Sequence, residues 1–95
     1  MNDIKTFEDL ECWKKARQLR LKISELVKTF PRDEKYGLTS QIFRAIRFVT
    51  HNIAEGYGRF HFRENAQFCR TSRGSLYEVL DQVIVANDEG FIKLY

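Results

Sequence analysis

Apolar residues recur at steps of three and four along most of the chain, which is the spacing of one face of an α-helix. The first apolar stripe runs from Phe7 to Phe30, and Arg20 is its one polar member. Two further stripes follow, each separated from the last by a short polar segment. The pattern predicts an all-α fold in a single domain over residues 1–95. Its predicted helices cover about residues 7–30, 39–55 and 63–87.

Residues with known preferences for helix ends support these boundaries. Thr6 is suited to cap the first helix, and the following acidic residues favour the positive end of the helix dipole. Pro31 disfavours helical geometry at Phe30 and so predicts the end of that helix. Residues 31–38 form a polar connection with room for a short helical turn, and Gly90 is expected to close the third helix.

The third helix carries an unusual pair, Gly74 and Ser75, in its middle. A glycine there costs roughly 1 kcal/mol relative to alanine, so we expect another helix to approach closely at this point. The residues of this helix expected to face inward are Cys69, Ser72, Leu76, Val79, Leu80 and Val83.

Length and composition restrict the class of protein. Ninety-five residues are enough for one domain with one core. No apolar run approaches the roughly 20 residues that span a bilayer, and no signal peptide is recognisable, so a cytoplasmic location is expected. Cys12 and Cys69 each fall in a helical apolar pattern and are expected to be buried, reduced thiols. No metal or cofactor motif is present, and none is expected to bind.

Three ordered blocks of sequence resemble a known family. The central block is residues 52–59, Asn-Ile-Ala-Glu-Gly-Tyr-Gly-Arg, preceded by residues 36–41 and followed by Arg73-Gly-Ser-Leu76 and Glu78. Together they resemble the small bacterial four-helix bundle proteins encoded within intervening sequences of large-subunit ribosomal RNA genes. Relatives of that family include the accessory variability protein of diversity-generating retroelements.

The resemblance implies an antiparallel up-and-down bundle of the four-helix type, in which this chain has the fourth helix truncated or missing. Three helices patterned for a fourth would expose an apolar face, which favours a homo-oligomer, with a five-membered ring as in the retroelement relatives. A protein partner such as a reverse transcriptase is a further candidate. No membrane partner is expected.

The family-like blocks contain polar and glycine residues that we interpret as structural. Glu55 lies near a helix C-terminus, opposes the dipole and should be paired, with Arg59 or Arg73 as its candidates. Gly56 and Gly58 are expected to give the backbone freedom for the chain to reverse direction. A polar network that fixes helix register is expected, and catalysis is not. The structural residues are Asn52, Glu55, Gly56, Gly58, Gly74, Ser75 and Glu78.

Basic residues cluster despite a net charge of only +3. Arg44, Arg47 and His51 share one face of the second helix, and arginine is suited to hold phosphate by two parallel hydrogen bonds. Phe43 and Phe48 lie off the apolar stripe and are expected at an interface. The leading hypothesis is binding of RNA or DNA, and the alternative is a protein-interaction scaffold. The candidate nucleic-acid-binding residues are Lys14, Lys15, Arg17, Arg44, Arg47, Arg63, Arg70 and Arg73.

Overall fold

Three α-helices make up most of the structure, a computed structural model that describes the backbone of residues 5–59 and 62–93 and the side chains of 5–59 and 65–93. No strand occurs within these ranges, so the all-α prediction is confirmed. The helices are α1 (Glu11–Val27), α2 (Leu38–Tyr57) and α3 (Phe62–Asp88), with short 3₁₀ turns at Phe7–Asp9 and Arg32–Glu34. The second turn is the one expected in the polar connection. None of the described helices is long and apolar enough to cross a membrane.

The start of the first helix differs from the prediction. Residues 7–9 form a separate 3₁₀ turn, and Leu10 is extended before α1 begins. The Asp9 carboxylate accepts hydrogen bonds from the backbone N–H groups of Lys5 (2.9 Å) and Thr6 (3.2 Å). Side-chain bonds of this kind compete with regular helix, because they give backbone donors another partner. The Asp9 bonds therefore define a separate turn ahead of α1.

The core lies along α2, which packs against α1 on one flank and α3 on the other. The apolar stripe of α2 supplies its centre, where Ile42 and Ile46 are completely buried. Burying a side chain of this size contributes about 1.5–3 kcal/mol, so α2 organises the domain. The buried apolar residues of the described chain are Ala16, Ile23, Val27, Phe30, Ile42, Ala45, Ile46, Val49, Val79 and Ala86.

Two helices approach closely at Gly56, and this corrects two expectations. Gly56 is buried inside α2, where a β-carbon would lie 2.9 Å from the Phe68 β-carbon of α3. Neither Gly56 nor Gly58 has a positive φ, so the expectation that they supply unusual backbone freedom is wrong. The role of Gly56 is instead to allow close packing of the helices. The close approach expected at Gly74 is wrong, because a β-carbon there would meet no atom within 4 Å.

Gly90 ends α3 as expected. Its φ of +80° is one that side-chain-bearing residues rarely adopt. The next N–H, of Phe91, donates to the Ala86 carbonyl at 2.8 Å, and that of Gly90 donates to Asn87 at 3.1 Å. This hydrogen-bonding pattern closes many helices at a glycine, and it turns Phe91 back onto the ring of Phe30, at a centroid distance of 5.8 Å.

An apolar groove separates α1 from α3. Two adjoining cavities of about 530 and 400 Å³ form it, and both are lined by Leu19, Arg73 and Leu76. Of the α3 residues expected to face inward, Ser72 and Val79 are buried and Val83 is half-buried. Cys69, Leu76 and Leu80 are instead exposed along the groove, because α1 stands too far from α3 to cover them.

The two cysteines correct a further expectation. Both are free thiols and both are exposed, not buried. Cys12 on α1 and Cys69 on α3 line the same cavity of the groove. Both cysteines lie on an apolar face, as their helical spacing predicts, but the groove leaves that face open.

Candidate nucleic-acid interface

The exposed face of α2 carries a compact basic group. Ser40, Arg44, Arg47, Phe48 and His51 together line a shallow cleft of about 300 Å³. Their spacing of three and four residues places them on one side of the helix. The opposite side of α2 is buried in the core, so these side chains are directed into solvent. The structure therefore brings Arg44, Arg47 and His51 together as the sequence predicts. We call this group the basic face of α2.

Aromatic rings hold the two arginines in place without neutralising them. The Arg47 guanidinium carbon lies 5.0 Å from the Phe43 ring centroid, and that of Arg44 lies 5.7 Å from the Phe48 ring centroid. Such cation–π contacts leave the guanidinium hydrogen-bond donors available. Phe48 is 43% exposed, so its ring is accessible, and its place at an interface stays a prediction. Phe43 is partly buried against the core, so its side chain is less available than expected.

Neither arginine of the basic face has a carboxylate partner within the described side chains. The ion pairs found there are Lys14–Glu11 at 3.7 Å, Lys28–Glu25 at 2.9 Å and Arg59–Glu55 at 3.1 Å. An arginine that lacks an internal counter-ion keeps its full charge for an external anion.

The other predicted basic residues do not join this face. Lys15 and Arg73 line the apolar groove between α1 and α3, on the side of α2 opposite Arg44. Lys14 is paired with Glu11, and Arg70 donates a hydrogen bond to Gln67 at 3.3 Å. Arg17 is exposed on α1. The Arg63 side chain lies outside the described residues.

The polar residues of the family-like blocks only partly behave as expected. Glu55 pairs with Arg59, which confirms one of its two predicted partners. Asn52 donates to the Phe48 carbonyl one turn earlier, at 2.8 Å. No hydrogen bond within the described side chains links Asn52, Glu55, Ser75 and Glu78 to one another, so these four do not form the predicted network.

Different residues make the polar links between helices. The Arg20 guanidinium donates to the buried Thr50 hydroxyl at 2.8 Å, joining α1 to α2. The Ser72 hydroxyl donates to the Val49 carbonyl at 2.9 Å, joining α3 to α2. The Asn65 amide donates to the Gly56 carbonyl at 2.8 Å and satisfies the end of α2. The lone Arg20 in an apolar stripe was the sequence signal for the first link.

A second cleft, which the sequence pattern did not predict, adjoins the basic face. It has a volume of about 370 Å³ and lies on the seam between α2 and α3. The oxygen of the Gln82 side-chain amide is buried in this wall and has no hydrogen-bond partner among the described residues. Its lining residues are Gln41, Arg44, Phe48, Glu78 and Gln82. Arg44 and Phe48 are thus shared by both clefts.

Nothing in the described part of the chain resembles a metal centre, because no three His, Cys, Asp or Glu side chains there are placed to hold an ion. The chemistry that the described site offers is hydrogen-bond donation, positive charge and an exposed aromatic ring.

The fold and site define a small all-α protein with a basic, aromatic-flanked helix face. More specifically, the chain belongs to the 23S rRNA-intervening sequence protein family, whose sequence profile matches residues 8–94. This match confirms the family to which the three sequence blocks point. No curated protein matches the chain. The relationship to the retroelement accessory protein stays a prediction, since the family match does not address it.

Proposed function

We propose that this chain is a non-enzymatic, homo-oligomeric helical-bundle protein that binds RNA or DNA through the basic face of α2. One observation carries the proposal: Arg44 and Arg47 lie side by side, exposed, with no carboxylate partner within the described side chains. Two uncompensated arginines beside a serine hydroxyl and a histidine suit phosphate oxygens. Contacts of this kind position a backbone and carry no sequence information by themselves.

The apolar groove supports the oligomeric part of the proposal. We place the chain in the four-helix bundle type, with the groove between α1 and α3 as the position that a fourth helix fills in that architecture. Leu76, Tyr77 and Leu80 are exposed along it. Exposed apolar patches on this scale usually mark interaction surfaces, and self-association, up to a ring of five, would cover them. The basic face lies on the other side of α2 and stays open for a nucleic acid.

The test is fluorescence anisotropy of labelled structured RNA and single-stranded DNA across a salt series, with light scattering on the same samples. The informative variant is Arg44→Glu/Arg47→Glu. Its matched control is Lys22→Glu/Arg32→Glu, which changes net charge equally at exposed positions elsewhere. For single strands each phosphate contact contributes roughly 0.7 to the slope of log K against log salt. The variant should therefore make the slope less steep by about 1.4, while the control leaves the slope unchanged.

Two results would count against nucleic-acid binding. One is the absence of binding at low salt by a well-formed oligomer. The other is an equal loss of binding in the variant and its control, since that would reflect net charge alone. If Arg44→Glu/Arg47→Glu instead dissociates the oligomer, the arginines serve subunit contacts.

The second candidate function is a protein-interaction scaffold, with another protein, such as a reverse transcriptase, as its partner. The observation that favours it is the same apolar groove, which is lined by Leu19, Ile23 and Leu80 and suits an amphipathic helix. Binding of a partner protein together with failure to bind nucleic acid would make this the better description.

A further inference from the structure

Arg44 and Phe48 form a wall shared by two clefts of different character. On one side are the basic face and its hydroxyl and imidazole groups, in a cleft of about 300 Å³. On the other side are Glu78 and Gln82 from α3, in a cleft of about 370 Å³. Small-molecule sites occupy about 300 Å³ or more, so each cleft is large enough for part of a nucleotide. A phosphate-binding cleft beside a cleft with hydrogen-bonding groups is an arrangement suited to a nucleotide unit.

The second cleft contains groups that the folded chain does not use. Glu78 and Arg44 line it together, yet they form no ion pair within 4.0 Å. Gln82 is only 7% exposed, and its amide oxygen has no donor in the part of the chain that the structure describes. The terminal torsion of glutamine is soft, so the Gln82 amide can turn to meet a partner that enters the cleft. Buried polar groups are nearly always satisfied, so an orphaned amide beside an open cleft indicates a missing partner.

We propose that this second cleft binds an unpaired guanine base of a single-stranded nucleic acid, with the Phe48 ring as its stacking surface. The inference rests on the proposed function, because the neighbouring phosphate would lie on the basic face of α2. Unpaired bases commonly stack on exposed aromatic rings, and only an unpaired base offers its Watson–Crick edge to a protein. Phe48 is exposed enough to take this role.

The cleft's donors and acceptors match guanine better than the other bases. Guanine presents two adjacent donors, N1–H and N2–H, which suit the two oxygens of the Glu78 carboxylate. Its O6 acceptor suits one N–H of the Arg44 guanidinium, whose remaining donors stay available for the phosphate on the basic face. Adenine offers the carboxylate one donor beside an unprotonated ring nitrogen, and cytosine also offers one donor. The Gln82 amide supplies a further partner in the same wall.

The experiment measures binding of labelled nine-nucleotide DNA single strands, all thymidine except for one central guanine, hypoxanthine or adenine, and of a duplex of the guanine strand. A good bidentate pair discriminates between bases by a factor of about ten. We therefore expect the guanine strand to bind about tenfold more tightly than the adenine strand. The hypoxanthine strand, which lacks the N2 amino group, should fall between them.

Two variants separate base recognition from phosphate binding. Glu78→Gln should remove the preference for guanine while the salt dependence stays. Phe48→Leu should weaken binding of every single strand by about tenfold, because the stacking surface is lost, with little change for the duplex. Tyr36→Leu is the matched control, since it removes an 87% exposed aromatic ring that lines neither cleft.

The outcomes distinguish this inference from the proposed function. Salt-dependent binding that is equal for guanine and adenine, and indifferent to both variants, would overturn the guanine site and leave nucleic-acid binding intact. Absence of binding to any strand would overturn both. Dissociation of the oligomer by Phe48→Leu would show that the ring lies between subunits, and the guanine site would again be wrong.

Discussion

At Gly56 the packing of α2 against α3 leaves no room for a methyl group. A β-carbon there would lie 2.9 Å from the Phe68 β-carbon, which is close to the backbone of α3 and cannot rotate away. Relief would require the helices to separate, and Asn65 bonds to the Gly56 carbonyl at the same point. Gly74 provides the comparison, since it also lies inside a helix but faces open space.

We expect Gly56→Ala to lower the free energy of unfolding by about 1 kcal/mol, because overpacking costs roughly 1–3 kcal/mol and alanine regains at most about 1 kcal/mol of helix propensity. Gly74→Ala should raise it by about 0.5–1 kcal/mol, since only the propensity gain applies. Urea unfolding followed by circular dichroism, at one protein concentration, measures both. Equal effects of the two substitutions would contradict this account. Destabilisation by Gly74→Ala would show that a neighbouring subunit covers that position.

At the scale of the element, the periodic spacing of apolar residues predicts the long helices. It misses structure that depends on a single side chain. The predicted bounds of α2 and α3 are correct to within two residues, because long apolar stripes define them. The break before α1 depends on one side chain, Asp9, whose hydrogen bonds leave no trace in a periodic pattern. Likewise, the spacing of Arg44 and Arg47 reveals a shared face. Predicting the second cleft would require the register of α2 against α3, because that register places Arg44 of one helix and Glu78 of the other in the same cleft.

The turn at Phe7–Asp9 should depend on pH. Hydrogen bonds from the backbone N–H of Lys5, and then of Thr6, hold the pKa of the Asp9 carboxyl below its ordinary value. A lowered folded pKa stabilises the fold above the unfolded value of about 3.9, and this is lost as the pH falls through the folded value. Asp9→Ala should therefore be destabilising at pH 7, and its difference from the wild type should shrink below about pH 4.

Urea unfolding at pH 7 and pH 3 checks this expectation. Glu8→Ala is the control. Glu8 lies in the same turn, but its carboxylate accepts no hydrogen bond from the described residues, whereas that of Asp9 accepts two. A difference between wild type and Asp9→Ala that stays constant between the two pH values would show that the carboxylate does not stabilise the turn.

Across the whole molecule, two surfaces of opposite character lie on opposite sides of α2. Arg44 and Arg47 are exposed on one side, and Val49 and Ile53 form part of the floor of the apolar groove on the other. A chain built in this way can assemble through the groove and still present its basic face. Assembly would place several basic faces on one particle, and linked sites raise overall affinity without any new contact. The proposed binding should then be stronger in the oligomer than in the monomer.

Leu80→Glu tests this arrangement, because Leu80 is 54% exposed and lines the groove. If subunits bury it, the substitution removes an apolar contact of about 1.5–3 kcal/mol and adds a charge that must be desolvated. We expect light scattering to show a shift from the oligomer to the 11.3-kDa monomer. Leu21→Glu is the matched control, since Leu21 is 48% exposed on α1 and does not line the groove.

The same pair of variants separates assembly from binding. The Leu80→Glu monomer should still bind single strands with a measurable salt slope, because Arg44 and Arg47 are untouched, but with lower overall affinity since several faces no longer act together. Leu21→Glu should retain both the oligomer and its affinity. If Leu80→Glu leaves the mass unchanged, subunits do not meet through the groove. If it lowers the mass but not the affinity, each basic face binds independently, and assembly has another purpose.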